Sequence, residues 1–146
     1  MGSSIIPLIV IAAIGGIAVT LQAHLMGLMD KQIGTLESVF ITYGGGGLLI
    51  GLAMLLARGG NLTAWQTVPW YALSAGAFGL VIVGTIGYGT ARLGLVTAMT
   101  IIIAAQFITG AFLDHFGLLG AELRPLNVSR IFGMGLMLVG TWLVVR

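Results

Sequence analysis

The chain has no cysteine among its 146 residues. That excludes a disulfide framework, a thiolate metal site and a cysteine nucleophile. Charge is almost as scarce: six Lys or Arg and four Asp or Glu make up 7% of the residues, and there are two His. A soluble domain needs roughly a quarter of its residues charged to face water. Two histidines and four scattered acids form no metal-ligand set and no nucleophile–base constellation. No cofactor, metal site or catalytic group is therefore expected. Six basic residues placed singly make no stripe for nucleic acid.

What the chain has instead is apolar length. Hydrophobic residues make up 58% of it and the mean hydropathy is +1.12. A lipid solvent accounts for both figures, so the sequence reads as an integral membrane protein. The opening stretch MGSSIIPLIVIAAIGG lacks the basic region of a cleavable leader and is expected to be a retained first span. A bilayer core takes about 20 apolar residues as helix. Five segments qualify: 5–27, 36–57, 68–91, 95–113 and 129–145. They are continuously apolar rather than alternating, which disfavours a β-barrel. The reading is an all-α membrane protein with five transmembrane helices in a single domain, 1–146. Charges fall at the joints: Asp30 and Lys31, Arg58, Arg92, Asp114, then Glu122, Arg124 and Arg130. A charge at mid-membrane would cost a few kcal/mol or more. Pro69 suits a helix start and Ser129 is placed to cap the fifth helix. Trp65, Trp70 and Tyr71 mark one interface, with Tyr88 and Trp142 toward span ends.

Glycine is abundant, and Gly44–Gly47 form an unbroken run inside the second span. A phosphate-cradling loop would need Gly-Lys-Ser or Gly-Lys-Thr; Leu48 and Leu49 follow instead. In lipid the helix persists, because an unravelled backbone has no water to bond. Gly47 and Gly51 form a GxxxG pair, which points to tight helix packing; a thin helix lining a moving cavity is a compatible second reading.

With five spans the termini lie on opposite sides. Arg58, Arg124 and Arg130 fall on the N-terminal side, and Lys31, Arg92 and Arg146 on the other: three against three. The positive-inside rule orients a chain by asymmetry in this count, and here there is none. Either other features decide orientation, or copies insert both ways and pair antiparallel. The second alternative makes a ten-helix homodimer, the inverted repeat that many transporters encode in one chain. A heteromeric partner is the third possibility.

The stretch AAQFITGAFLDHFGLLGAELRPLNVSRIFGMGLMLVGTWLVV, together with LQAHLMGLM, VPWYALSAGAFGL and YGTARLGLVTAMT, resembles the YdcZ family, a five-helix branch of the drug/metabolite transporter superfamily. Its most specific part is Gln106, the run Leu113-Asp114-His115-Phe116-Gly117 and Arg124-Pro125-Leu126. The resemblance implies a small exporter of a bacterial-type inner membrane, and for single-gene members an antiparallel homodimer. Gly44–Gly47 and Glu37 depart from the family pattern.

Polar groups inside a membrane are functional candidates by default. Gln106, midway along span four, is placed to bind substrate or to join helices by its amide. Gln22 and His24 lie about 200° apart around one helix, so a single face cannot hold both. Gln22 is the cavity candidate; His24 is read as interfacial, and as a proton-coupling group if buried. Glu37 opens span two, where the helix dipole favours it; if buried it would exchange a proton for a cationic substrate. Tyr43, Tyr88, Thr97 and Thr100 supply hydroxyls and aromatic faces for an amphipathic ligand. Asp114 and His115 end span four and are expected to fix the last loop, Asp114 through Arg124, Arg130 or capping groups of span five. The functional expectation is a coupled exporter of small amphipathic or cationic organic compounds. Its partners are membrane lipid, an inverted second copy and the substrate itself. An uncoupled pore and a structural subunit are the alternatives.

Overall fold

The computed structural model describes residues 5–146; Met1–Ser4, part of the stretch read for a leader, lie outside the described residues. Five α-helices follow one another: α1 (Ile5–Ile33), α2 (Thr35–Leu56), α3 (Ala75–Leu93), α4 (Leu95–Phe116) and α5 (Val128–Val145). Short 3₁₀ turns at Leu62–Thr67, Trp70–Ser74 and Leu118–Gly120 fill the longer connections. All five spans are long and apolar enough to cross a membrane, the third being Trp70–Leu93 with its leading turn included. The chain divides into two compact units, one ending at Arg92 and the other running from Leu93 to Arg146.

Several boundaries move from their expected places, each for a local reason. The first helix does not stop at residue 27 but runs on through Asp30 and Lys31 to Ile33. Lys31 sits in its last turn, where a cation meets the negative end of the helix dipole. Asp30 is buried and bonded, so its charge does not end the helix. Pro69 does not open a regular α-helix; it precedes the 3₁₀ turn, and α3 begins only at Ala75. The fourth helix runs on from 113 to Phe116, closed by Gly117 in the left-handed region, whose N–H donates to the Leu113 carbonyl. Ser129 is not the cap of α5. Asn127 is, its side-chain oxygen accepting from the Arg130 backbone N–H at 2.8 Å. Asn127→Ala is expected to cost about 1 kcal/mol in thermal or denaturant unfolding of the detergent-solubilised chain, and Asn127→Asp close to nothing.

In the unit ending at Arg92, α1 packs against α2. Its buried residues on α1 are Ala23, Met26, Gly27 and Asp30, and on α3 they are Val83, Ile86, Gly87 and Thr90. Both sets follow the i, i+3, i+4, i+7 spacing of a single helical face. The two faces meet: a methyl added at Gly27 would lie 2.7 Å from Thr90 Cγ2, and one at Gly87 3.3 Å from Met26 Cε. Each helix is followed by a glycine at positive φ, Gly34 (99°) and Gly94 (83°), after which the next helix starts at once. The same helix–glycine–helix device therefore occurs twice, 60 residues apart. In the unit from Leu93, α4 packs against α5.

The glycine run does not do what its pattern suggested within the chain. Among the described residues, nothing lies within 4 Å of a methyl added at Gly44, Gly45, Gly46, Gly47 or Gly51. Tyr43, immediately before the run, instead sets its hydroxyl against Gly79 of α3, leaving no room for a side chain there.

Candidate functional site

An open furrow of about 720 Å³ runs along the α4–α5 pair. Gln106, Gly110 and Asp114 line it from α4, and Arg130, Gly133 and Met137 from α5. Spacings of four on α4, and of three and four on α5, put each set on one helical face. Glycines 110 and 133 make the floor thin, while Phe107, Met134 and Met137 make the walls apolar. Met is suited to such a surface, because its unbranched thioether adapts to irregular ligands.

The polar groups sit at intervals. Asp114 Oδ2 lies 3.9 Å from Arg130 Nη1, both side chains being about two-fifths exposed. That separation is an ion pair without a hydrogen bond, so the carboxylate keeps acceptor capacity. Gln106 lies two helical turns away, about 12 Å along the axis. Its side chain is exposed and has no hydrogen-bond partner among the described residues.

The loop after α4 is held to that helix by bonds other than an Asp114–Arg124 side-chain pair. The Arg124 backbone N–H donates to the Asp114 carbonyl at 2.8 Å. His115 Nδ1 accepts from the Leu126 backbone N–H at 3.1 Å, which ties the loop to the end of α4. The Arg124 side chain turns to Glu122, donating from Nε at 3.2 Å and Nη2 at 2.6 Å. Those hydrogen bonds, then the Glu122 charge, push the guanidinium pKa up, so Arg124 stays charged at any working pH. Asp114's side-chain partner is Arg130. A second furrow of about 440 Å³ on the same helix pair is lined by His115, Phe112 and Leu126 and is almost wholly apolar.

The remaining sequence candidates lie apart from the furrow. Thr100 on α4 donates its hydroxyl to the Val96 carbonyl at 2.7 Å and does not line it. Gln22 and His24 are exposed on α1. Glu37 occupies the first turn of α2 and folds back toward Gly34, as an acid near the positive end of the helix dipole should. The ring of Tyr88 is covered by the Arg92 guanidinium at 3.5 Å. The Tyr43 hydroxyl packs on Gly79.

The polar centre that the sequence did not announce is Asp30. Its side chain is 1% exposed, although it lies near the end of a span. Oδ1 accepts from Arg92 Nη1 at 2.9 Å, and Oδ2 accepts from the Thr35 hydroxyl at the start of α2. Ser38, fully buried one turn on, donates to the Thr35 carbonyl. Asp30 and Arg92 are 62 residues apart, so only the shared face with Gly27 hinted that the carboxylate points inward.

Comparison with known proteins places this arrangement in a family. The family model described as "Putative inner membrane exporter, YdcZ" matches residues 7–143. The Inner membrane protein YdcZ of Escherichia coli (strain K12) is 30% identical over 136 residues, covering 90% of this chain and 89% of that protein. No solved structure matches the chain.

Proposed function

The chain belongs to the YdcZ family, and from that premise we propose that it exports small amphipathic or cationic organic compounds across the inner membrane, driven by a proton or ion gradient, as an antiparallel pair of copies. The observation that carries this reading is the α4–α5 furrow. Its size falls within the range of small-molecule sites. Its apolar walls offer dispersion contacts to a hydrocarbon or aromatic body, the Gln106 amide both donates and accepts, and Asp114 supplies an acceptor for a cationic end. The furrow is open, and an inverted second copy would roof it. The even split of basic residues between the two faces supports such a pair. So does the bare glycine strip of α2, thin enough for another helix to approach closely. Glu37 and His24 are exposed in the single chain, so their proton-coupling role requires burial against the inverted copy.

The test is flux through the full chain in proteoliposomes, screened across organic cations such as tetraphenylphosphonium, amines and neutral amphiphiles, with and without a pH gradient. Gradient-dependent flux of an organic cation is the expected result. Flux indifferent to the gradient would favour a pore, and no flux from the chain alone a subunit. Gln106→Leu keeps the side-chain volume and removes both hydrogen-bonding groups. It is expected to lower flux of the transported cation about tenfold, the equivalent of one to two lost hydrogen bonds. Unchanged flux would remove Gln106 from the path.

A further inference from the structure

We infer that the seam between α1 and α3 is a gate, closed by the Asp30–Arg92 pair and concealing the Thr90 hydroxyl. The pair joins the two helices near their C-terminal ends, which α2 places at the same membrane face. Its strength is unevenly distributed. Arg92 Nη1 makes one bond across the seam, to Asp30 at 2.9 Å, while its other contacts, the Tyr88 carbonyl at 3.1 Å and the Tyr88 ring, lie on its own helix. Releasing Asp30 therefore leaves the guanidinium still held on α3. The Arg92 side chain is 49% exposed and can turn to water or lipid phosphate, whereas Asp30 cannot leave.

Behind the pair the helices approach closely at two glycines, Gly27 against Thr90 and Gly87 against Met26, with Val83 and Ile86 buried on the same face of α3. Thr90 itself supplies the independent observation. The hydroxyls of Thr20, Thr42, Thr85, Thr100 and Thr141 each donate to the carbonyl one turn back. The Thr90 hydroxyl is buried and has no partner. A buried polar group left unpaired is a cost that a second state can relieve. Opening the seam gives it water, or a polar group of the cargo. The use of the gate rests on the exporter reading: in an inverted pair the two seams lie at opposite faces, so that each face has its own closure. The opening itself is measured without cargo.

Because the chain has no cysteine, Thr90→Cys gives a single reporter in the full chain reconstituted in nanodiscs, where both faces meet a water-soluble maleimide. Expected is slow but complete labelling, and a rise in rate of about tenfold or more when Asp30→Asn removes the charge and keeps the shape, since the closed population falls. Exchanging the charges, Asp30→Arg with Arg92→Asp, is expected to restore the slow rate. Ala104→Cys reports on general loosening, because Ala104 is buried on α4, away from the seam. Its labelling should not follow that of Thr90. The inference is overturned if Asp30→Asn leaves Thr90→Cys labelling unchanged, or speeds Ala104→Cys equally. Either result leaves the flux experiments untouched, so failure of the gate and failure of export are separable.

Discussion

Gly27→Leu is expected to prevent the α1–α3 seam from closing, at a cost of about 3 kcal/mol or more, the upper end of overpacking penalties. The first added carbon already lies 2.7 Å from Thr90 Cγ2, 3.1 Å from Thr90 Cβ and 3.5 Å from the Ala91 backbone nitrogen. Thr90 is β-branched and has little freedom to turn aside, and the backbone behind it moves only if the helices separate. Separation also pulls Arg92 from Asp30 and breaks the bond across the seam. Gly45→Leu on α2 is the control, since no atom lies within 4 Å of an added Cβ there. Unfolding midpoints of the monomeric fraction in detergent, where no partner meets the glycine strip, should drop sharply for Gly27→Leu and stay within error for Gly45→Leu. If the order were reversed, the glycine run rather than the isolated glycine would be packing within the chain.

A second large effect is expected from charges placed far from any site. The basic count stands at three against three. Asn61→Lys with Gln66→Lys adds two on the N-terminal side, making five against three; both residues are exposed. Gln32→Lys with Arg58→Asn makes two against four in the other sense. Each biased chain should insert one way and lack inverted partners, so flux should fall by about an order of magnitude or more although the furrow is intact. Co-expression of the two should restore it, because each supplies the orientation the other lacks. Equal activity of the three preparations would mean that orientation plays no part in function. A loss that co-expression fails to mend would place the fault in the individual chains.

Much of this architecture could be read before any coordinates. Where length and charge position decide, as for the five spans, the physics is local: each span is apolar, and its flanking charges cannot enter the hydrocarbon. The bonds that hold the loop after α4 use backbone groups of Arg124 and Leu126, which side-chain identity does not reveal. What escaped is whatever depends on a partner distant in the chain. Asp30 looked like a joint residue because its stabilising contact, Arg92, is 62 positions away. Gly44–Gly47 drew notice by number, whereas isolated Gly27 and Gly87 make the close approaches. The repeated helix–glycine–helix device went unseen because its two copies share little beyond the glycines: Asp30 in one corresponds to Thr90 in the other, and Met26 to Ile86. The furrow was half legible. Gln106 and Asp114 share a face by spacing alone, but Arg130 joins them only once α5 folds back along α4.

The central claim is that one chain supplies both orientations of an exporter. A single Asn61→Cys tests it most directly, at an exposed loop residue with ordinary φ, unlike its neighbour Gly60 at 53°. Sealed membrane vesicles carrying the full chain are treated with an impermeant maleimide, first outside, then inside after permeabilisation. Two comparable populations are expected, one labelled from each side. Labelling of the whole population from one side only would contradict it.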